Sequence, residues 1–169
     1  VSIVQSGEVE LEEIEKFISY LLREKGTDLY RMKGVLAVAH AVEKFVYHSV
    51  HMLFSGDFVE PWAPGEERSC KMVFIGKNLD EEDIKRRFQK CLASGEKDAA
   101  RRQALRFAVG DRVECAVNNC WAPGTVIAHM YRDDGMPPGL LAPYQVKIDH
   151  GAAVYVPADS VHLIRELKD

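Results

Sequence analysis

Residues Arg31–Phe54 read RMKGVLAVAHAVEKFVYHSVHMLF, two apolar runs about a short polar break. Leu29–His40 and Lys44–Phe54 are rich in Val, Phe and Tyr, the residues that suit pleated sheet. Ala41-Val42-Glu43 is the expected turn of a hairpin that lacks an Asn-Gly signal. Side chains alternate faces along a strand. In the second run Val46, His48, Val50, Met52 and Phe54 share one face; Phe45, Tyr47, Ser49, His51 and Leu53 share the other. In the first run Tyr30, Met32, Leu36 and Val38 oppose Arg31, Lys33, Val35, Ala37 and Ala39. The aliphatic faces are expected to meet helices. That leaves Arg31, Lys33, Tyr47 and His51, with Ser49, on a face too apolar for open water and too polar for a core, the character of a docking surface.

The stretch holds His40, His48 and His51. His48 and His51, three apart, fall on opposite faces of a strand and do not chelate one metal as a local pair. His48 is expected to pack in the core or at its edge, and His40 to face solvent at the turn. No metal site is assigned; His51 is the one ligand candidate and has no local partner.

Upstream, VSIV is a short strand. Ile14, Phe17, Ile18, Leu21 and Leu22 form one stripe of a helix, with acids early, Arg23 and Lys25 late, and Gly26 after them. Downstream, SGDFVEPWAPGEERS reads as a loop on its prolines and glycines, and CKMVFIG as a strand. NLDEEDIKRRFQKCL is a helix with Asp80 as N-cap and Ile84, Phe88, Cys91 and Leu92 as its stripe. The expected order is β-α-β-β-β-α over residues 1–92: an α+β unit whose antiparallel sheet is covered by two helices on one face. Polar residues 93–105 read as a linker. From 106 to 169 short runs broken by Gly, Pro and Asp predict a small all-β barrel.

The chain has 169 residues, a net charge of −4 and a pI near 5.9, so no global basic field draws it to nucleic acid. No apolar run reaches the length of a membrane span. Cysteines 70, 91, 115 and 120 form no C-x-x-C pair and are expected to be reduced thiols inside the cell. A start at Val1 without a signal peptide suggests a fragment or a processed form.

Arg31-x-Lys33-Gly34, Val50-His51-Met52-Leu53-Phe54, Pro61-Trp62 and Val73-Phe74-Ile75-Gly76, in this order and spacing, resemble the C-terminal domain of the CobW family over residues 1–92. The resemblance implies a GTP-dependent metallochaperone, with GTP, magnesium and zinc belonging to the parent protein. Its catalytic part would be a P-loop domain carrying G-x-x-x-x-G-K-[ST]. This chain has no such motif: Gly76-Lys77-Asn78 lacks the loop and its first glycine, and the family's C-x-C-C metal motif is absent too. The resemblance therefore implies a non-catalytic C-terminal region with no cofactor of its own, whose partners are its own GTPase domain or a client metalloprotein.

The second unit, with Gly110-Asp111-Arg112-Val113, Trp121-x-Pro123-Gly124-Thr125-Val126 and Ala142-Pro143-Tyr144-Gln145-Val146, resembles SH3-like or Tudor-like modules of algal and plant multidomain proteins. A cytoplasmic location is expected, and a plastid stays open. Trp121, Tyr131, Tyr144 and Tyr155 are candidates for an aromatic pocket that captures a peptide or a cation; the alternative is that they build the barrel's own core and rim. Cys115, Cys120, His129 and His150 have no standard zinc spacing. Asp133 and Asp134 lack the spaced acids of a calcium loop. Two further readings compete with the chaperone: a free-standing protein-binding adaptor with no GTPase attached, and metal storage through surface His and Cys.

Overall fold

In the computed structural model, which describes residues 1–168, the apolar stretch from Leu29 folds as part of three strands rather than two. Strand β1 (Ser2–Ser6) leads to helix α1 (Leu11–Lys25). Then come β2 (Leu29–Ala37), β3 (Glu43–Val50), β4 (Leu53–Pro61), β5 (Ser69–Gly76) and helix α2 (Glu81–Gln89). The sheet is five-stranded and antiparallel, in the order β1-β5-β2-β3-β4. The expected single strand Lys44–Phe54 is broken by a two-residue turn. Val50 pairs with Leu53, and His51 takes the left-handed conformation at φ 53°. The first part of the expected loop, from Ser55 to Pro61, is strand β4. Gly56 belongs inside that strand because a side chain there would meet the Phe45 ring at 2.6 Å. Pro61 is tolerated because β4 is an edge strand with no ladder on its outer side.

Register decides the faces. Met32 pairs with Ser49, Gly34 with Tyr47, and Leu36 with Phe45. Arg31 pairs with Val50, and Lys33 with His48. Tyr47 and Ser49 therefore join the core face, correcting their expected place beside Arg31 and Lys33. The reason is space. Gly34 and Gly56 flank Tyr47 on both neighbouring strands, and the Tyr47 ring lies across Gly34. Tyr47 stacks on Phe45 and Phe54, at 6.4 and 5.8 Å between centroids.

Ile14, Phe17, Ile18 and Leu21 of α1 and Ile84 and Phe88 of α2 are buried in one cluster with Ile3, Met32, Leu36, Tyr47, Cys70, Met72 and Phe74 of the sheet. Phe17 meets Phe74 and Phe88 edge-on, at 6.4 and 6.2 Å. Burying each large side chain stabilises by about 1.5–3 kcal/mol, so this one face holds the unit together. Asp80 caps α2 by accepting from Asp83 N–H at 2.9 Å.

Cys70 lies at the centre of this core with its thiol 3.7 Å from the carbonyls of Gly7 and Ala37. Burial pushes it up to about 11, against the lowering effect of the Ala37 bond. A thiol raised above its unfolded value contributes stability that is complete below about pH 8.5 and is lost as pH climbs toward 11. Tyr47 is also raised by burial, but its hydroxyl ionises in the unfolded chain only near pH 10. Urea unfolding between pH 8.5 and 10 is thus expected to show unit stability falling by about 1–2 kcal/mol. Cys70→Ala should flatten that slope; an unchanged slope would refute the assignment.

The chain divides into two compact units, the first ending at Ala93 and the second starting at Ser94. The stretch read as a linker is largely helix α3 (Gly95–Gln103), whose N-cap Ser94 hydroxyl accepts from Lys97 N–H at 3.3 Å. It buries no residue, which is why no apolar stripe announced it. The second unit continues with β6 (Arg112–Val117), β7 (Cys120–Tyr131), β8 (Ala142–Ile148), β9 (Ala153–Val156) and β10 (Ile164–Glu166). These form an antiparallel sheet in the order β10-β6-β7-β8-β9, so the last strand returns beside the first. Asn118 and Asn119, both at positive φ, make the tight β6–β7 turn. Phe107, Val113, Cys115, Val126, Tyr144, Val146, Val156 and Ile164 are its core.

Candidate functional site

The first unit leaves one whole sheet face uncovered. Across it run Arg31, Ile75 and Val50 in one row, Lys33, Val73 and His48 in the next, and Val35, Lys71 and Val46 in a third. Val4 of β1 lies beside Lys71, and Leu53 of β4 beside Val50. Val4 is 74% exposed, Leu53 80% and Ile75 51%. The face is thus a carpet of branched aliphatics studded with Arg31, Lys33, Lys71 and Lys44, opposed on the strands mainly by Asp57 and Glu60. Water-facing sheet surfaces ordinarily alternate to polar residues. This one does not.

At the end of the face, the loop from Trp62 to Arg68 walls a cleft of about 530 Å³. Val4, Val35 and Val46 line it, with Trp62, Lys44 and Lys71 around them. Lys44 stands 5.1 Å from the Trp62 ring centre and 3.0 Å from Glu66. Glu66 accepts from Ala63 N–H at 2.9 Å, and this bond, with Lys44, holds its carboxyl below the usual range. Arg68 lies over the ring at 5.8 Å, donates to the carbonyls of Val38 and Ala41 at 2.9 and 2.8 Å, and meets Glu8 at 2.5 Å. One guanidinium therefore fixes both the β2–β3 connection and the Trp62 loop.

Of the four expected docking residues, Arg31 and Lys33 stand on the open face. Tyr47 is in the core. His51 sits in the β3–β4 turn, its N–H donated to Tyr30 O at 2.9 Å and its ring edge-on to Tyr30 at 6.1 Å. His48, expected in the core or at its edge, is on the open face beside Lys33. Strand alternation held the signal for His48, but the choice of which face is buried was inverted for this strand.

In the second unit the four aromatic candidates part company. Tyr144 is fully buried. Its hydroxyl donates to Asp159 at 2.9 Å and accepts from Phe107 N–H at 3.3 Å, and burial lifts it to about 12. Trp121 is roofed by Arg165 at 3.7 Å, which Glu114 holds at 2.8 Å. Tyr131 and Tyr155 remain together, lining one cleft with Asp133 and Gln145. Cys115 is buried, Cys120 is exposed, and His129 Nε2 donates to Phe107 O at 2.9 Å. Among the described residues no group of three or more His, Cys, Asp or Glu side chains is placed to hold a metal ion, nor is any helix long and apolar enough to cross a membrane.

The chain is 34% identical over 80 residues to the zinc chaperone YjiA of Escherichia coli, covering 47% of this chain and 25% of that protein. Crystal structures of Zn(II)-bound YjiA GTPase from E. coli, and of a Zn(II)-bound triple mutant of it, align with a TM-score of 0.53 at 29% identity. Each alignment covers 55% of this chain and 29% of that one. The chain thus spans between a quarter and a third of these relatives. Residues 1–92, over half of the chain, match the family model described as the cobalamin synthesis protein cobW C-terminal domain, and the chain belongs to that family.

Proposed function

We propose that this chain is the non-catalytic C-terminal region of a CobW-type, GTP-dependent metal chaperone, with zinc as the metal, and that its open sheet face docks the GTPase domain or the client. The uncovered face carries the reading. Six exposed aliphatics, Val4, Val46, Val50, Leu53, Val73 and Ile75, stand on it in water, with cations between them. A patch of this composition is stabilised by a partner that covers its apolar area and answers its charge with carboxylates. The zinc assignment follows the name of the YjiA relative and the zinc in its crystal structures. We read the second unit as an SH3-like barrel appended to it, on the return of β10 to the side of β6.

The parent gene is expected to encode G-x-x-x-x-G-K-[ST] upstream of Val1. That GTPase domain, added to this chain in trans, should bind it. Ile75→Asp and Lys33→Glu should each weaken binding at least tenfold, roughly 1.4 kcal/mol, while leaving thermal unfolding of the chain unchanged. A parent gene without that motif overturns the reading and leaves the free-standing adaptor. Equal binding by Ile75→Asp removes the sheet face as the docking surface.

A further inference from the structure

The family model matches residues 1–92 and stops short of the second unit. One cleft there has the chemistry of a receptor. Tyr131 closes β7, Gln145 lies mid-β8, and Tyr155 pairs with Gln145 from β9. Together with Asp133, Ala153 and Val154 they enclose about 280 Å³. The Asp133 carboxylate accepts from Tyr131 O–H at 2.8 Å through one oxygen and from Gly135 N–H at 2.8 Å through the other. Those bonds hold it in place without neutralising it. Among the described residues Asp133 forms no ion pair, and the nearby cations are occupied. Arg132 donates to the carbonyls of Pro137 and Leu140, both at 2.8 Å. Lys147, two residues from Gln145 on β8, donates to Gly151 O at 2.8 Å toward the β8–β9 turn.

An unneutralised carboxylate beside two tyrosine rings selects a cation. The rings attract it through their quadrupoles, and the carboxylate through charge. A second cleft of about 250 Å³ is lined by Ala116, Val117, Val154, Pro157 and Leu163 together with Tyr155. Val154 and Tyr155 line both clefts. A ligand filling both carries a cation next to an apolar group, and β9, which borders both, is an edge strand of the sheet.

We propose that the second unit binds a peptide through a lysine or arginine side chain. Its ammonium or guanidinium enters between Tyr131 and Tyr155 beside Asp133, and an adjoining apolar residue occupies the second cleft. The proposal stands whether or not the first unit docks a GTPase domain.

The test uses the whole chain, isotope-labelled, titrated with acetyl-Val-Lys-amide, acetyl-Val-Arg-amide and the neutral acetyl-Val-Gln-amide. The cationic probes are expected to shift the amides of Tyr131, Gln145 and Tyr155, with at least one bound fivefold or more tighter than the neutral probe. Asp133→Asn keeps an acceptor for Gly135 N–H, lets the amide N–H donate to the Tyr131 hydroxyl oxygen in place of the bond it accepted, and removes the charge; it should erase that preference. Tyr155→Leu should weaken the cationic probes at least fivefold, with the core signals of Val126 and Ile164 unmoved. Equal binding of all three probes, shifts centred away from this cleft, or an unaltered preference in Asp133→Asn would overturn the proposal.

Discussion

Gly34→Ala is expected to lower the stability of the first unit by about 3 kcal/mol, at the upper end of what overpacking costs. Gly34 sits mid-strand with a negative φ, so backbone freedom is not the reason for it. A methyl there would run into the main-chain carbonyl of Lys71 and come within 2.8 Å of the Tyr47 ring. The ring alone could swing aside. The carbonyl belongs to the β2–β5 ladder and moves only if the two central strands separate. Each unit holds one of the chain's two tryptophans, Trp62 and Trp121, so Trp62 fluorescence in a Trp121→Phe background reports the first unit alone. The urea midpoint should fall by roughly 2 M. Adding Tyr47→Phe, which deletes a buried hydroxyl that has no hydrogen-bond partner among the described residues, should not rescue the variant, because the carbonyl clash remains. A loss below about 1 kcal/mol, or full rescue by Tyr47→Phe, would show that the strands yield more readily than this geometry implies.

The same glycine explains what the sequence did and did not disclose. The helices were legible because their burial is periodic: Ile14, Phe17, Ile18 and Leu21 recur on one face, and Asp80 precedes a run of acids as an N-cap should. The sheet faces were misassigned for β3 because hydrophobicity alone ranks Val46, Val50 and Met52 above Tyr47 and Ser49. Burial went instead to the residues whose neighbours left room. That is a property of register, and register links positions 34, 47 and 56 that are far apart in sequence. Strand β4 was hidden for the same reason: Gly56 and Pro61 look like loop punctuation until a ring and an open edge account for them. In the second unit, four aromatic positions were visible, but their separation into core, capped surface and cleft depends on partners such as Asp159, Arg165 and Asp133 that no local pattern announces.

Arg68→Met should cost the first unit about 2–3 kcal/mol, although the side chain is not fully buried. Methionine fills similar volume, so the loss isolates the guanidinium. Without it the carbonyls of Val38 and Ala41 lose their donor, Glu8 loses its cation, and Trp62 loses one of two cations over its ring. Hydrogen bonds from a charged donor are worth about twice neutral ones, and the two carbonyls sit where the chain turns from β2 to β3. Arg68→Lys should recover less than half of the loss, since a single ammonium lacks the planar fork that reaches both carbonyls while facing Glu8. Trp62 emission should shift to the red in the folded Arg68→Met protein as the loop over the cleft loosens. If the open face docks a partner, that variant should also bind it more weakly than its stability alone accounts for, because the cleft loses its wall. Arg68→Lys as stable as the native chain would sink this account, since charge without fork geometry would then suffice.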